Sequence, residues 1–211
     1  MRLLGVLGAG LMLFSVACGG GGGDDDPGPG PNNNQTLGEI QASVTALNLT
    51  AGGTQTINMT ARDTQGATIA QPGNYTFQSA NTAVAQVSNQ GTVLGIAAGT
   101  TSINISLSRQ GVTKTASVAV TVTGTLPASA SVSAGSANTF DPSIVAIARG
   151  GTVTWNIGAV QHNVTFASAQ PQGGNIPSST NANISRTFPN VGDYPYDCTL
   201  HAGMSGTVFV R

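Results

Sequence analysis

The side chains with the most distinctive chemistry lie in the last third of this 211-residue chain. Cys198, His201 and Met204 stand within seven residues of one another, and His162 stands upstream at the start of another Val- and Thr-containing run. Two imidazoles and one thiolate, with a weak axial thioether, are the ligands of a blue-copper centre. The soft sulfur donors suit Cu(I), and the imidazoles serve both oxidation states. These four residues are therefore predicted to bind one type 1 copper ion.

Two alternatives exist for the same residues. A single His in a β-domain is usually an ordinary polar residue, and a buried Met is usually part of the core. Here both histidines of the chain fall in one pattern with Cys198, in the order that the copper site requires. Zinc is the second alternative, but structural zinc favours four Cys or His ligands and only three are present. Met204 favours copper.

Composition excludes several classes of function. Charged residues make up 7 % of the chain, and seven basic against eight acidic side chains leave a net charge of −1. Nucleic-acid binding needs clustered Lys and Arg, so no nucleic-acid partner is expected. Once the blue site is filled, no His remains for a type 2 or trinuclear copper cluster. We therefore expect an electron carrier with no catalytic residues, rather than a copper enzyme.

Residues 1–17 are predicted to be a signal peptide. One Arg precedes an apolar run that ends at Ala17 and is shorter than the ~20 residues of a membrane span. The last residues of the run and Cys18 resemble a bacterial lipobox, which implies lipidation of Cys18. The resemblance departs at Ser15, where Leu is usual, and ordinary cleavage after Ala17 is the alternative. We expect an exported lipoprotein on the periplasmic or cell-surface face of a membrane, and Gly19 favours the outer membrane.

Export also decides how the cysteines are interpreted, because paired thiols in an oxidising compartment normally form a disulfide. A bridge from Cys18 to Cys198 would join a glycine-rich tether to a folded domain across 180 residues. Lipidation of Cys18 would leave Cys198 without a partner, and a lone exported thiol needs a role that protects it. Coordination to a metal ion provides that protection.

The rest of the chain is predicted to be a tether followed by two β-sandwiches. Residues 18–36 are rich in Gly, Asp, Pro and Asn, and such a coil spans about 25 Å. From residue 37 onward, Val-, Ile- and Thr-rich runs alternate with turn residues, without helical periodicity. This pattern predicts an all-β fold with sandwiches over 37–124 and 125–211, the first antiparallel. One strand is predicted over each Val-, Ile- or Thr-containing run, namely residues 40–49, 54–61, 75–79, 84–88, 92–96, 101–108, 112–122, 129–134, 144–148, 152–156, 163–166, 182–188, 192–197 and 207–210.

The first sandwich has no reactive constellation, since it contains neither His nor Cys. Residues 77–87, 91–95 and 99–101 resemble the bacterial immunoglobulin-like group 2 family, and the resemblance covers about residues 39–123. Phe77 stands where that family commonly has Trp. The resemblance implies an Ig-like fold. It says little about function, because such domains are mostly spacers or adhesive modules. The alternative function is a surface, adhesion or structural protein with an accessory copper-binding domain.

The second sandwich resembles the cupredoxins, in the plastocyanin–amicyanin branch, over about residues 128–211. The matching segments follow the family order: 140–142, 144–153, Trp155, 162–164, 192–198 and 206–210. The resemblance implies a Greek-key sandwich that carries single electrons between redox partners whose identity it does not specify.

The same resemblance assigns roles to individual residues. It implies equatorial ligation by His162, Cys198 and His201, axial ligation by Met204, and a supporting role for Asn163, which steadies the Cys198 loop. The short loop between the last two ligands is similar to that of amicyanin. The family usually has a smaller residue than Asp197 before the copper Cys. In the cupredoxins, the histidine of the ligand loop reaches solvent through an apolar patch, so the resemblance implies that partners dock around His201.

Overall fold

The computed structural model describes residues 35–211, in which every regular element is a β-strand. The predicted signal peptide, Cys18 and the tether up to residue 34 lie outside this range. Among the described residues, no helix is long and apolar enough to cross a membrane. The all-β prediction with two sandwiches is confirmed.

The N-terminal sandwich contains three sheets, with strand orders β2-β9-β8-β5, β3-β7-β6 and β1-β4. Its strands are β1 (Leu37–Ala42), β2 (Ala46–Thr50), β3 (Thr54–Thr56), β4 (Met59–Asp63), β5 (Thr76–Ser79), β6 (Ala85–Val87), β7 (Thr92–Gly95), β8 (Gly99–Arg109) and β9 (Val112–Thr123). Successive side chains of a β-strand point to opposite faces of the sheet. In β9 the apolar side chains of Val118, Val120 and Val122 are therefore buried, whereas the residues between them are more exposed. These valines belong to the core of this sandwich.

Two predictions for this sandwich are wrong in detail. Residues 40–49 and 54–61 each form two strands rather than one, with breaks after Ala42 and after Thr56. The breaks meet in space, because Ser43 donates its backbone N–H to the carbonyl of Asn58 and accepts the N–H of Asn58 on its hydroxyl. The first break lets the chain change sheets, so β1 pairs with β4 whereas β2 pairs in parallel with β9. The sandwich is therefore not purely antiparallel.

The C-terminal sandwich packs the sheet β11-β10-β13-β16 against the sheet β12-β18-β17-β14-β15. Its strands are β10 (Ser129–Ala134), β11 (Phe140–Asp141), β12 (Ile144–Ile147), β13 (Thr152–Ile157), β14 (His162–Phe166), β15 (Ile176–Ser179), β16 (Ala182–Thr187), β17 (Gly192–Asp197) and β18 (Ser205–Val210). The fully buried Trp155 lies in its core, with edge-on contacts to Phe166 and Tyr196. The pairs β10–β13 and β12–β18 are parallel.

Candidate metal centre

Strand pairing brings the two halves of the candidate site to one end of the C-terminal sandwich. His162 is the first residue of β14, and Cys198 directly follows β17. These two strands are antiparallel neighbours, with Thr165 opposite Asp197, so the start of one strand lies beside the end of the other. The segment 198–204 then connects β17 to β18 across this end. Residues 36 positions apart in the chain thus share one site.

The structure brings His162, Cys198 and His201 together, with their donor atoms all within 4.8 Å of one another. The sulfur of Cys198 lies 3.8 Å from Nδ1 of His162 and 3.5 Å from Nδ1 of His201. Metal–nitrogen and metal–sulfur bonds of about 2.0 and about 2.3 Å together exceed both separations. One ion can therefore reach the sulfur and both imidazole nitrogens, and this donor set fits copper.

The ring of His162 is fixed by a backbone carbonyl. This side chain is fully buried, and its Nε2 lies 3.0 Å from the carbonyl oxygen of Gly135, just beyond β10. Because a carbonyl only accepts, Nε2 must carry the proton. In the neutral imidazole, Nδ1 then keeps its lone pair and faces the sulfur of Cys198, which is the tautomer that a metal needs. Gly135 was missed by the sequence analysis, since a carbonyl acceptor has no signature in residue type.

The loop that carries the other donors is closed by its own backbone. The N–H of Cys198 donates to the carbonyl of Met204 at 2.9 Å, and the N–H of Met204 donates to the carbonyl of His201 at 3.2 Å. Gly203 has a φ of 78°, a conformation that glycine adopts without steric cost. The side chains of Cys198 and Met204 are buried in the core of the sandwich. Cys198 forms no disulfide with any described residue.

Asn163 lies beside the loop and contacts the residue after Cys198. Its Nδ2 donates to the hydroxyl of Thr199 at 2.7 Å, and its Oδ1 accepts the backbone N–H of Thr199 at 2.9 Å. The position before Cys198 behaves differently. Asp197 is exposed, whereas its neighbour Tyr196 points into the core, where burial raises the pKa of the phenol well above its usual value. The carboxylate of Asp197 therefore lies on the solvent side of β17.

His201 is the donor nearest the surface. Its ring is partly exposed, and its Nε2 has no hydrogen-bond partner among residues 35–211. Leu200 is 45 % exposed beside it, and Ala202 and Gly203 are exposed as well. These neighbours carry no charged group, so the exposed surface next to His201 in the chain is uncharged.

Together, the sandwich and its His–Cys–His cluster define a copper-binding cupredoxin domain. Residues 128–211 match the family described as copper binding proteins, plastocyanin/azurin family. Plastocyanin of Scenedesmus fuscus is 36 % identical over 84 residues, which covers 34 % of this chain and 86 % of that protein. Through this domain, the chain belongs to the plastocyanin/azurin family.

Solved structures of amicyanin are also similar to this chain. A Cu(I) form of one variant is 28 % identical over 40 % of this chain and 83 % of amicyanin, with a TM-score of 0.35. A second variant, in its reduced Cu(I) form at pH 4, is 32 % identical over 39 % of this chain and 82 % of amicyanin, with a TM-score of 0.34.

Proposed function

We propose that this protein carries single electrons between redox partners, using one type 1 copper ion held by His162, Cys198, His201 and Met204. The observation that supports this most directly is the convergence of two imidazole nitrogens and a thiol within 4.8 Å at the end of a cupredoxin sandwich. Copper, when bound, would supply a Cu(I)/Cu(II) couple. The proposal includes no catalysed reaction, because both histidines serve as ligands.

The chain's own contribution is to hold the donors still. The carbonyl of Gly135 holds the ring of His162, and two hydrogen bonds from Asn163 hold Thr199 next to Cys198. The backbone contact between Cys198 and Met204 closes the loop. Donors that keep their positions in both oxidation states reduce the rearrangement that accompanies electron transfer.

Partners are proposed to dock on the uncharged surface around His201. The charged side chains of residues 126–211 balance, with three acidic and three basic groups: Asp141, Asp193, Asp197, Arg149, Arg186 and Arg211. A neutral domain gives little long-range steering, so apolar contact through Leu200 and Ala202 supports the encounter. The imidazole of His201 is the part of the site that such a partner would reach.

The location and the role of the first sandwich are also proposals. The apolar run of residues 1–17 followed by Cys18 supports export and lipid anchoring, on the outer membrane in preference to the inner one. The Ig-like resemblance of residues 39–123 supports a spacer between this anchor and the copper domain. Membrane fractionation of the native chain and of Cys18→Ser tests the anchor, since the variant should leave the membrane fraction.

Absorption spectroscopy tests the copper site. Full-length protein loaded with Cu(II) should show an intense thiolate-to-Cu(II) charge-transfer band in the visible region. Cys198→Ser should abolish this band, whereas the matched control Cys18→Ser should retain it. A colourless Cu(II) complex of the native sequence would rule out a blue site. Reversible bleaching by a one-electron reductant, at one electron per chain, tests the carrier role.

A further inference from the structure

The outer surface of β12 and β18 is covered by the N-terminal sandwich. All four residues of β12 are buried, although only Val145 and Ile147 point into the core of their own sandwich. The other two, Ile144 and Ala146, form a separate apolar cluster with Phe209 of β18. The N-terminal sandwich completes this cluster with Leu94 of β7 and with Ile96, which directly follows β7.

The burial of these contact residues is deep. Leu94 is 0 % and Ile96 is 2 % exposed, and neither Ile144 nor Phe209 exceeds 8 %. A strand that covers only one core normally alternates between buried and exposed residues. The uninterrupted burial of β12 therefore requires a second apolar surface, which β7 provides. Burial of several large apolar side chains is the main favourable term in association.

The connection between the sandwiches is docked at both ends. Leu126 packs against the core of the N-terminal sandwich and against the separate apolar cluster. Pro127 lies against Gly52, where a side chain would overlap the proline ring, and its carbonyl accepts the N–H of Ala148 at 2.8 Å. Gly52 in turn donates its N–H to Gly95 at the end of β7. The connection thus follows a defined path over both partners.

We infer that the two sandwiches fold and unfold as one cooperative unit, in which the N-terminal sandwich stabilises the copper domain by covering β12 and β18. The described residues belong to one compact unit. β18 begins directly after Met204, so the covered strand also holds the end of the loop that carries Cys198 and His201. Loss of the N-terminal partner would expose Ile144 and Phe209 and weaken this support.

Thermal unfolding of the full chain tests the inference. Trp155, the one Trp in the sequence, is buried in the C-terminal core, so its fluorescence reports on that sandwich alone. Ile103→Ala creates a cavity in the N-terminal core at a residue that is not part of the shared cluster. If the sandwiches are coupled, the Trp155 transition should move down by about 5 °C or more. The measurement is made on metal-free and copper-loaded protein.

A substitution in the apolar cluster shared by the two sandwiches gives the matched comparison. Leu94→Ser disrupts the shared cluster, and in this background Ile103→Ala should no longer move the Trp155 transition. Val191→Ala, at a side chain that is 61 % exposed, should leave the transition unchanged in every background. Hydrogen exchange of the β8 amides measures the N-terminal sandwich separately.

Independent sandwiches would give a different result. Ile103→Ala would then accelerate exchange in β8 while the Trp155 transition of the otherwise native chain stays in place, and that outcome would overturn the inference. Should Ile103→Ala fail to fold, Ile103→Val removes a single methyl group and allows the same comparison at a smaller shift.

Discussion

Asn163 and Thr199 are joined by two hydrogen bonds, one from each partner, so the side chain of one residue contacts both the hydroxyl and the backbone of the other. Each directly follows a predicted copper ligand in the chain: Asn163 follows His162, and Thr199 follows Cys198. The pair therefore couples the position of a buried imidazole on β14 to the position of the thiol that follows β17.

Removing these two hydrogen bonds should loosen the site without removing a predicted copper ligand. Asn163→Ala eliminates both hydrogen bonds, and we expect a loss of about 1–2 kcal/mol in the free energy of unfolding of the copper-loaded protein. Copper release to a chelator should become faster, while the visible band persists. Thr199→Ser keeps the hydroxyl and should resemble the native protein, whereas Thr199→Val should show part of the loss. Equal stability of Asn163→Ala and native protein in urea titrations would contradict this role.

The predicted axial ligand, Met204, is tested by measuring the reduction potential of the copper site. Met204→Leu keeps an apolar side chain of similar volume in the core but removes the thioether. We expect copper to remain bound and the reduction potential to rise, because the axial bond is weak and Cu(I) tolerates a lower coordination number than Cu(II) does. Met59→Leu makes the same chemical change in the N-terminal sandwich and should leave the potential unchanged. Voltammetry of both variants makes the comparison, and equal potentials would argue against axial ligation.

Docking around His201 is tested with an added charge. Ala202→Glu places a carboxylate on the uncharged surface and should slow electron exchange about tenfold, which corresponds to about 1.4 kcal/mol of unfavourable desolvation. The visible band should not change. Val191→Glu adds the same charge at the start of β17, away from the metal site, and should have little effect. The exchange rate of the native protein should vary little with ionic strength, and a steep salt dependence with no effect of Ala202→Glu would contradict docking here.

The N-terminal sandwich should show a specific dependence on acid. Burial alone would raise the pKa of Asp63, but hydrogen bonds from the side chain of Gln35 and the backbone N–H groups of Ala67 and Gln65 outweigh it and hold the pKa below its usual value. A lowered folded pKa stabilises the fold above the unfolded value of about 4, and this contribution is lost as pH falls through the folded value.

Asp63→Asn removes the titrating group and its charge, so the variant should be less stable than the native protein at neutral pH. The difference should shrink as pH falls from about 4 through the lowered folded pKa, because the native carboxyl loses its charge over this range. Hydrogen exchange of the β4 and β1 amides across this range measures the effect. A difference between the two proteins that is constant with pH would show that the charge of Asp63 has no part in it.

Local pattern was enough to predict much of this fold. The bounds of β10 and β17 agree with the runs at 129–134 and 192–197 to the residue, because both runs alternate clearly between turn signals. The short strand β11 was missed because it has only two residues, and β15 was missed because its sequence, Ile-Pro-Ser-Ser, contains a Pro and no apolar alternation. Parallel pairing of β2 with β9 was missed as well, because it depends on a change of sheet at Ser43 that no residue type announces.

For the site, the residue types predicted the donor set, and the structure places His162, Cys198 and His201 within reach of one ion. Their ligand roles, with that of Met204, stay predictions. The carbonyl of Gly135 and the burial of Ile144 under Leu94 depend on tertiary contacts between segments far apart in the chain. Side-chain chemistry can be deduced from sequence, whereas a backbone acceptor or a covered surface appears only after folding.

The hydrogen bond between His162 and Gly135 makes the two imidazoles unequal. The ring of His162 is held by a backbone carbonyl, whereas His201 is partly exposed and its Nε2 has no protein partner among the described residues. Truncation at the two positions should therefore give opposite results. His201→Gly would open a vacancy at the surface that added imidazole from solution can fill and restore colour, whereas His162→Gly would leave a sealed void that no exogenous ligand reaches.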